Sequence, residues 1–180
     1  MSTFFALKPP PDIAGQLVAM ARDHADRYGG RATSFETVHL TLAFLGEFPA
    51  PRVDELIAVA SGVRASSFDL RVDRLGYWSH NQLLWAGSVS SPPALMTLAA
   101  RLEITLAAGN CWIAGARDGH PFAPHITLVR KLATPVAPTP LATNDRIVWP
   151  CASFVLVRSL RTDAATLHET LAEFTLDLPA

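Results

Sequence analysis

The 180-residue chain has little charge of either sign: 15 Lys and Arg against 16 Asp and Glu, a formal net charge of −1. A strongly basic footprint is missing, so a long nucleic-acid backbone is not tracked over the surface; any such partner is held locally, at an end. Only two cysteines occur, Cys111 and Cys151, which excludes a disulfide framework and suits free thiols in a reducing cytoplasm. No apolar run approaches the roughly 18 residues of a membrane span. The N-terminus, Met1-Ser2-Thr3-Phe4-Phe5-Ala6-Leu7-Lys8, lacks the basic-then-apolar order of a signal peptide. No Gly-x-Ser-x-Gly elbow is present, which argues against a Ser-His-Asp hydrolase of the α/β type.

Apolar residues are nonetheless abundant, at 49%, with charged residues at 17%. That balance excludes a disordered chain and, with the length, predicts one domain or two small, intimately packed lobes. Helical spacing appears three times. Pro9-Pro10-Pro11-Asp12 opens a segment with Ile13, Leu17 and Ala21 on one side, closed by Gly29-Gly30. Val53, Leu56, Ile57 and Ala60 recur after Pro49 and Pro51, and Leu95, Leu98, Ala99, Leu102 and Leu106 form a stripe after Pro92-Pro93. Strand candidates lie at Thr3 to Leu7, Phe68 to Val72, Leu83 to Gly87 and Phe154 to Val157, with Ser79-His80-Asn81 as a hairpin turn. Thr134 to Pro140 reads as a connector, and Thr166 to Leu178 fits helix or strand by pattern alone. Short links between strands favour an antiparallel or mixed α+β arrangement over a doubly wound parallel sheet.

The most informative feature is a phrase that occurs twice, about half the chain apart: Val38-His39-Leu40-Thr41-Leu42 and Pro124-His125-Ile126-Thr127-Leu128. Side chains alternate faces along a strand, so His39 and Thr41 share one face, as do His125 and Thr127. Leu40, Leu42 and Phe44 belong to the opposite, buried face, as do Ile126 and Leu128. Two such strands facing one another would make a cleft with two imidazoles and two hydroxyls. A histidine of ordinary pKa near 6.5 works as acid or base near neutrality. One can activate water while the other protonates a leaving oxygen, each worth roughly 10²–10⁴-fold. The hydroxyls suit the non-bridging oxygens of a phosphate. A lone strand histidine is more often a plain structural residue; the repeat in matching contexts overturns that reading. Neither motif has the further His, Cys or carboxylate that a zinc site needs, so no metal and no cofactor are expected.

With their flanks, His39-Leu40-Thr41-Leu42-Ala43-Phe44-Leu45-Gly46 and Phe122-Ala123-Pro124-His125-Ile126-Thr127-Leu128-Val129-Arg130 resemble the paired signatures of the 2H phosphoesterases. Within them the chain is most similar to the bacterial and archaeal RNA 2′,3′-cyclic phosphodiesterases, also called 2′-5′ RNA ligases. The likeness extends to Phe4-Phe5-Ala6-Leu7, to Leu75-Gly76 with Leu84-Trp85, and to Phe154-Val155-Leu156-Val157-Arg158-Ser159. It implies a bilobal α+β fold: residues 1–180 as one domain of two pseudo-symmetric lobes, two antiparallel sheets lining a central cleft, helices outside, and a strand as the final segment. It also implies metal-independent opening of an RNA 2′,3′-cyclic phosphate to a 2′-phosphomonoester, with His39 as proton donor and His125 as proton acceptor, although the repeat itself allows the reverse. Thr41 and Thr127 would bind the phosphate, Arg130 would contact substrate or anchor a carboxylate, and Phe122 would stack on a base or pack in the core. Ligation to an RNA 5′-hydroxyl is the same chemistry reversed.

Two rival readings remain at this level: a sister enzyme for a small cyclic nucleotide such as ADP-ribose 1″,2″-cyclic phosphate, and a non-catalytic module that binds RNA ends. A monomeric, cytoplasmic protein is expected. Many family members carry Gly-x-x-Tyr near the last strand; here Ala165 and His168 stand in those places, and His168 is expected on the surface. Tyr77, Trp78 and His80 are lesser stacking candidates. Trp85, Trp112 and Trp149 are expected in the core, and Arg117 and His120 in a solvated loop.

Overall fold

The computed structural model describes residues 1–111, 121–162 and 165–178. Trp112, Arg117 and His120, singled out in the sequence, lie outside the described residues. Strands β1 (Ser2–Leu7), β2 (Arg31–Ala32), β3 (Leu40–Gly46), β5 (Arg74–Trp78), β6 (Leu83–Gly87), β7 (Ile126–Arg130), β8 (Thr139–Pro140), β10 (Ser153–Arg161) and β11 (Thr166–Thr175) form one sheet. Its order is β11-β10-β1-β3-β7-β6-β5-β8, with β2 also on β7, and its strand pairings among the described residues are antiparallel. Strands β4 (Phe68–Val72) and β9 (Ile147–Cys151) pair as a second, small sheet. The two antiparallel halves of the large sheet meet between β3 and β7 through a single residue pair, Leu40 with Ile126.

The helices are α1 (Pro11–Tyr28), α2 (Val53–Ala60) and α3 (Pro93–Ala108). Proline opens α1 and α3, where its missing N–H costs nothing and its fixed φ suits the first turn. Gly29 ends α1 at φ 76°, a conformation other residues adopt at a cost. The α1 stripe buries Ile13, Ala14, Leu17, Val18 and Ala21, and the α3 stripe buries Leu95, Leu98, Ala99, Leu102 and Leu106, as its periodicity predicts. Helix α1 packs on β7 and β2, α3 on β3, and α2 on α3. Leu40, Leu42, Ile126 and Leu128 join the same core as these helices, so the helices cover one face of the central strands and leave the other face to the cleft. A smaller apolar cluster, Phe4, Ala6, Val155 and Val157, belongs to β1 and β10. Both cysteines are free and buried. Among the described residues no helix is long and apolar enough to cross a membrane.

Two segments differ from the pattern-based expectation, and a third that the pattern left open is the strand the family resemblance implies. The turn at Ser79-His80-Asn81 joins β6 to Arg74–Trp78, not to Phe68–Val72, which pairs with β9 instead. The Arg74–Trp78 strand contains Gly76, and a Cβ there would overlap the Trp85 ring on the neighbouring strand; the glycine makes room for the indole. The connector at Thr134 to Pro140 ends in a short strand, β8, on β5. The last segment is the strand β11, not a helix, and it lies at the sheet's edge.

Candidate active site

Each motif histidine sits one residue before its strand, at the entrance to β3 or β7. The Leu40–Ile126 pair fixes how the motifs face each other. One step either side of it, antiparallel pairing sets His39 opposite Thr127 and Thr41 opposite His125. The two imidazoles and two hydroxyls therefore alternate across the seam, on the face away from Leu40 and Ile126.

The rings are anchored alike. His39 Nδ1 lies 2.6 Å from the Thr37 carbonyl oxygen, and His125 Nδ1 lies 2.8 Å from that of Ala123. A carbonyl only accepts, so Nδ1 of each ring carries the hydrogen and donates it, which leaves the Nε2 lone pair free in the neutral ring. At His39 that lone pair accepts the Thr41 hydroxyl at 3.1 Å. Thr37 is itself held by Ser34, whose hydroxyl lies 2.9 Å from Thr37 Oγ1. His39 stacks on Phe4 at 4.8 Å between ring centroids, and His125 meets the edge of Trp78 at 4.5 Å.

Burial is the main cause of a lowered pKa at both histidines. His39 falls to about 4; its bond to Thr37 opposes the fall, while His168, Arg130 and His125 add to it. His125 is lowered by burial and by Arg130, against the bond to Ala123. Both are thus neutral and basic at Nε2 near neutral pH in the free protein.

A cleft of about 600 Å³ opens beside these residues, lined by His39, Thr41, Thr127 and Arg130 among others. His125 is not in its lining; it flanks it through Thr127. Phe122 is also absent from the lining and packs against the main core, the plainer of its two sequence readings. Trp85 and Trp149 are buried, as expected.

Two residues, Phe44 and His168, reach the cleft against expectation, and Arg130 reaches it through a bulge that strand alternation does not predict. Phe44, assigned by alternation to the buried face with Leu40 and Leu42, is 47% exposed and lines the cleft. Between β1 and β3 the register slips, Phe5 pairing with Ala43 and Ala6 with Thr41, so Leu42 is an extra residue. This bulge reverses the alternation after it. The second motif has the same irregularity: Leu84 pairs with Val129 and Trp85 with Thr127, which leaves Leu128 as the extra residue. Arg130 is thereby brought to the cleft face instead of the face opposite His125. His168, expected on the surface, lines the cleft with its ring edge-on to His39 at 5.2 Å and to Phe4 at 5.3 Å. Its pKa falls to about 4 through burial, then through Lys8 and Arg130. The signal available in the sequence was its place in the family's Tyr position.

Among the described residues no three His, Cys, Asp or Glu side chains gather as metal ligands. A model of the LigT-like phosphoesterases matches residues 7–85. The RNA 2′,3′-cyclic phosphodiesterase of Escherichia coli strain K12 is 33% identical over 141 residues, 78% of each chain. The chain belongs to the LigT-like phosphoesterases. A solved phosphoesterase shares the fold of this LigT-like chain with a TM-score of 0.85, 30% identity and 98% coverage of each chain. Escherichia coli LigT in complex with 3′-AMP matches at a TM-score of 0.82, 30% identity and 98% coverage of each. These relatives span the mixed α+β sheet on which the LigT-like site is built.

Proposed function

We propose that this protein is a metal-independent RNA 2′,3′-cyclic phosphodiesterase that leaves a 2′-phosphomonoester. The observation that carries the reading is the matched pair of carbonyl-anchored imidazoles at the β3–β7 seam, with His39, Thr41, Thr127 and Arg130 lining one cleft and His125 flanking it. The relatives named RNA 2′,3′-cyclic phosphodiesterase support the same reaction. In this scheme Thr41, Thr127 and Arg130 hold the non-bridging phosphate oxygens, where charge builds in the transition state. Nε2 of His125 takes a proton from water as the water oxygen bonds to phosphorus. The bond from phosphorus to the 3′ oxygen breaks, and that oxygen takes a proton from Nε2 of His39. His125 ends protonated and His39 neutral, and exchange with solvent resets both. A bound phosphate anion offsets the repulsion from Arg130 and favours the protonated form of His39 that this role requires. Run backwards with an RNA 5′-hydroxyl in place of water, the same steps join ends. The chain acts as a monomer in the cytoplasm, residues 1–180 forming one domain of two pseudo-symmetric lobes.

The test uses a short RNA ending in a 2′,3′-cyclic phosphate, purified protein and EDTA, with the position of the product phosphate read out. Conversion to the 2′-phosphate, reduced at least about 10²-fold in His39→Ala and His125→Ala, is expected. Normal turnover by both variants would sink the site assignment. Turnover of ADP-ribose 1″,2″-cyclic phosphate alone would move the substrate to a small nucleotide.

A further inference from the structure

Beyond the scissile phosphate, the cleft holds more positive charge than one cyclic phosphodiester can use. Arg31 of β2 is the direct cross-strand partner of Arg130 at the end of β7. Like charges directly opposite one another in an antiparallel pair destabilise a sheet. Arg161, the last residue of β10, comes from the other half of the sheet and lines the same cleft as Arg31 and Arg130. The three are close enough that Arg31 and Arg161 both depress the pKa of Arg130, after the larger effect of its burial. His39 and His168 also feel Arg130.

Three arginines outside the cleft lining are paired with carboxylates. Arg27 meets Asp23 at 3.0 Å, Arg52 meets Glu55 at 2.8 Å and Arg158 meets Glu169 at 3.5 Å. Among the described residues none of Arg31, Arg130 and Arg161 has a carboxylate partner. A cyclic phosphodiester carries one negative charge. Three guanidiniums gathered with no carboxylate partner among the described residues, in a chain of net charge −1, fit a ligand with at least two. The cleft volume, about 600 Å³, exceeds what a ribose with its cyclic phosphate fills and lies within the roughly 300–1,000 Å³ typical of sites that enclose a larger ligand.

We propose that Arg31 and Arg161 form a second phosphate subsite, which takes the phosphate on the 5′ side of the terminal nucleotide while Arg130 serves the cyclic phosphate. This rests on the phosphodiesterase reading and narrows it: the preferred substrate is an oligonucleotide end, not a nucleoside cyclic phosphate. Guanidinium groups suit this task because they bind phosphate oxygens in pairs of parallel hydrogen bonds. The subsite reads charge and spacing and is indifferent to the base.

The experiment compares kcat/KM at low salt for uridine 2′,3′-cyclic phosphate, its 5′-phosphorylated form and a uridine dinucleotide ending in 2′,3′-cyclic phosphate. The wild type is expected to favour the dinucleotide over the nucleoside by about tenfold or more, chiefly in KM, which corresponds to one charge-assisted contact. Arg31→Gln and Arg161→Gln are each expected to cost the dinucleotide at least about tenfold more than they cost the nucleoside, with a shallower salt dependence. If the 5′-phosphorylated nucleoside shows the full gain, the subsite takes a terminal phosphate as readily as an internucleotide one, and the proposal stands. Equal losses on all three substrates, or no preference in the wild type, would overturn it. Calorimetry with adenosine 2′,5′-bisphosphate against adenosine 2′-monophosphate reads the same pair of phosphates without turnover. A bisphosphate preference that disappears in Arg161→Gln, in a protein that turns over none of the substrates, keeps the subsite and rejects the phosphodiesterase reading. Equal affinity for the two ligands rejects the subsite.

Discussion

Phe44 and Arg130 hold matching positions: each stands three residues after the threonine of its motif, and each is turned into the cleft by a bulge at the residue following that threonine. The repeat in the sequence is thus matched by a repeat in backbone irregularity. An apolar ring and a guanidinium occupy the two equivalent places, so the cleft is symmetric in its backbone and asymmetric in its chemistry.

That asymmetry bears on the two histidines. If His39 protonates the 3′ oxygen, a leaving group that needs no proton makes it dispensable. With a substrate whose 3′ bridging oxygen is replaced by sulfur, His39→Ala is expected to regain most of a loss of roughly 10²–10⁴-fold, while His125→Ala stays impaired. Recovery by His125→Ala instead would exchange the two roles.

The neighbour of His39 offers a second check. Both the charge of His168 and the burial it helps to provide lower the His39 pKa. His168→Asn removes the neighbouring charge and opens the ring to water, so His39 is expected to titrate higher, at about 5 or above, against about 4 in the wild type. An NMR titration of the His39 ring without ligand measures this. The alkaline limb of kcat/KM, which reports the free enzyme's acid, is expected to move to higher pH with it. An unchanged His39 titration would show that the two rings are merely packed together.

Stability carries the same signature. His39 and His168 have folded pKa values of about 4, and His125 is lowered in the same direction, from an ordinary value of 6.5. As pH falls below 6.5 the unfolded chain takes up protons that the folded one refuses, so stability is full above 6.5 and is lost progressively towards 4. The thermal midpoint is expected to drop by a few degrees between pH 7 and pH 4.5. A His39→Gln, His168→Gln double variant is expected to lose a clear part of that slope; an identical slope in the variant would assign it to carboxylates.

Gly76 links the β5–β6 hairpin to the site. Any Cβ there meets the Trp85 ring, which lies 5.5 Å between centroids from Trp78, the residue edge-on to His125. Gly76→Ala is expected to cost about 1–3 kcal/mol of stability through overpacking. Denaturant titration reads that cost, and kcat reads any displacement of Trp78. Wild-type stability would mean that Trp85 has room to move.

Much of this was legible in the chain. The stripes of α1 and α3 have a clean helical period, and Gly29 and the paired prolines mark their ends. His39, Thr41, His125 and Thr127 share one face because a period of two holds as far as each threonine. It fails one residue later. Nothing in Leu42-Ala43-Phe44 or Leu128-Val129-Arg130 announces the inserted residue, since apolar side chains occupy both faces at the bulge; alternation therefore assigns Phe44 to the buried face, by a parity the backbone does not keep. His168 escaped notice for another reason. Strand β11 is an edge strand with mostly exposed or half-buried residues, so no apolar alternation identifies the face that meets His39. Strand β9 carries Pro150, which breaks the usual strand signature and is tolerated in a two-stranded sheet.

The two halves of the large sheet share one residue pair, Leu40 with Ile126, at the point where the proposed acid and base face each other. The proposed proton donor and acceptor thus stand on different halves of the sheet, joined where the backbone ladder is thinnest. A slight parting at that seam is expected to change the spacing of the histidines before the single core beneath both halves comes apart. Catalysis therefore acts as a strain gauge for the seam: in rising denaturant or pressure, activity fades while fluorescence from buried Trp149 still reports an intact fold.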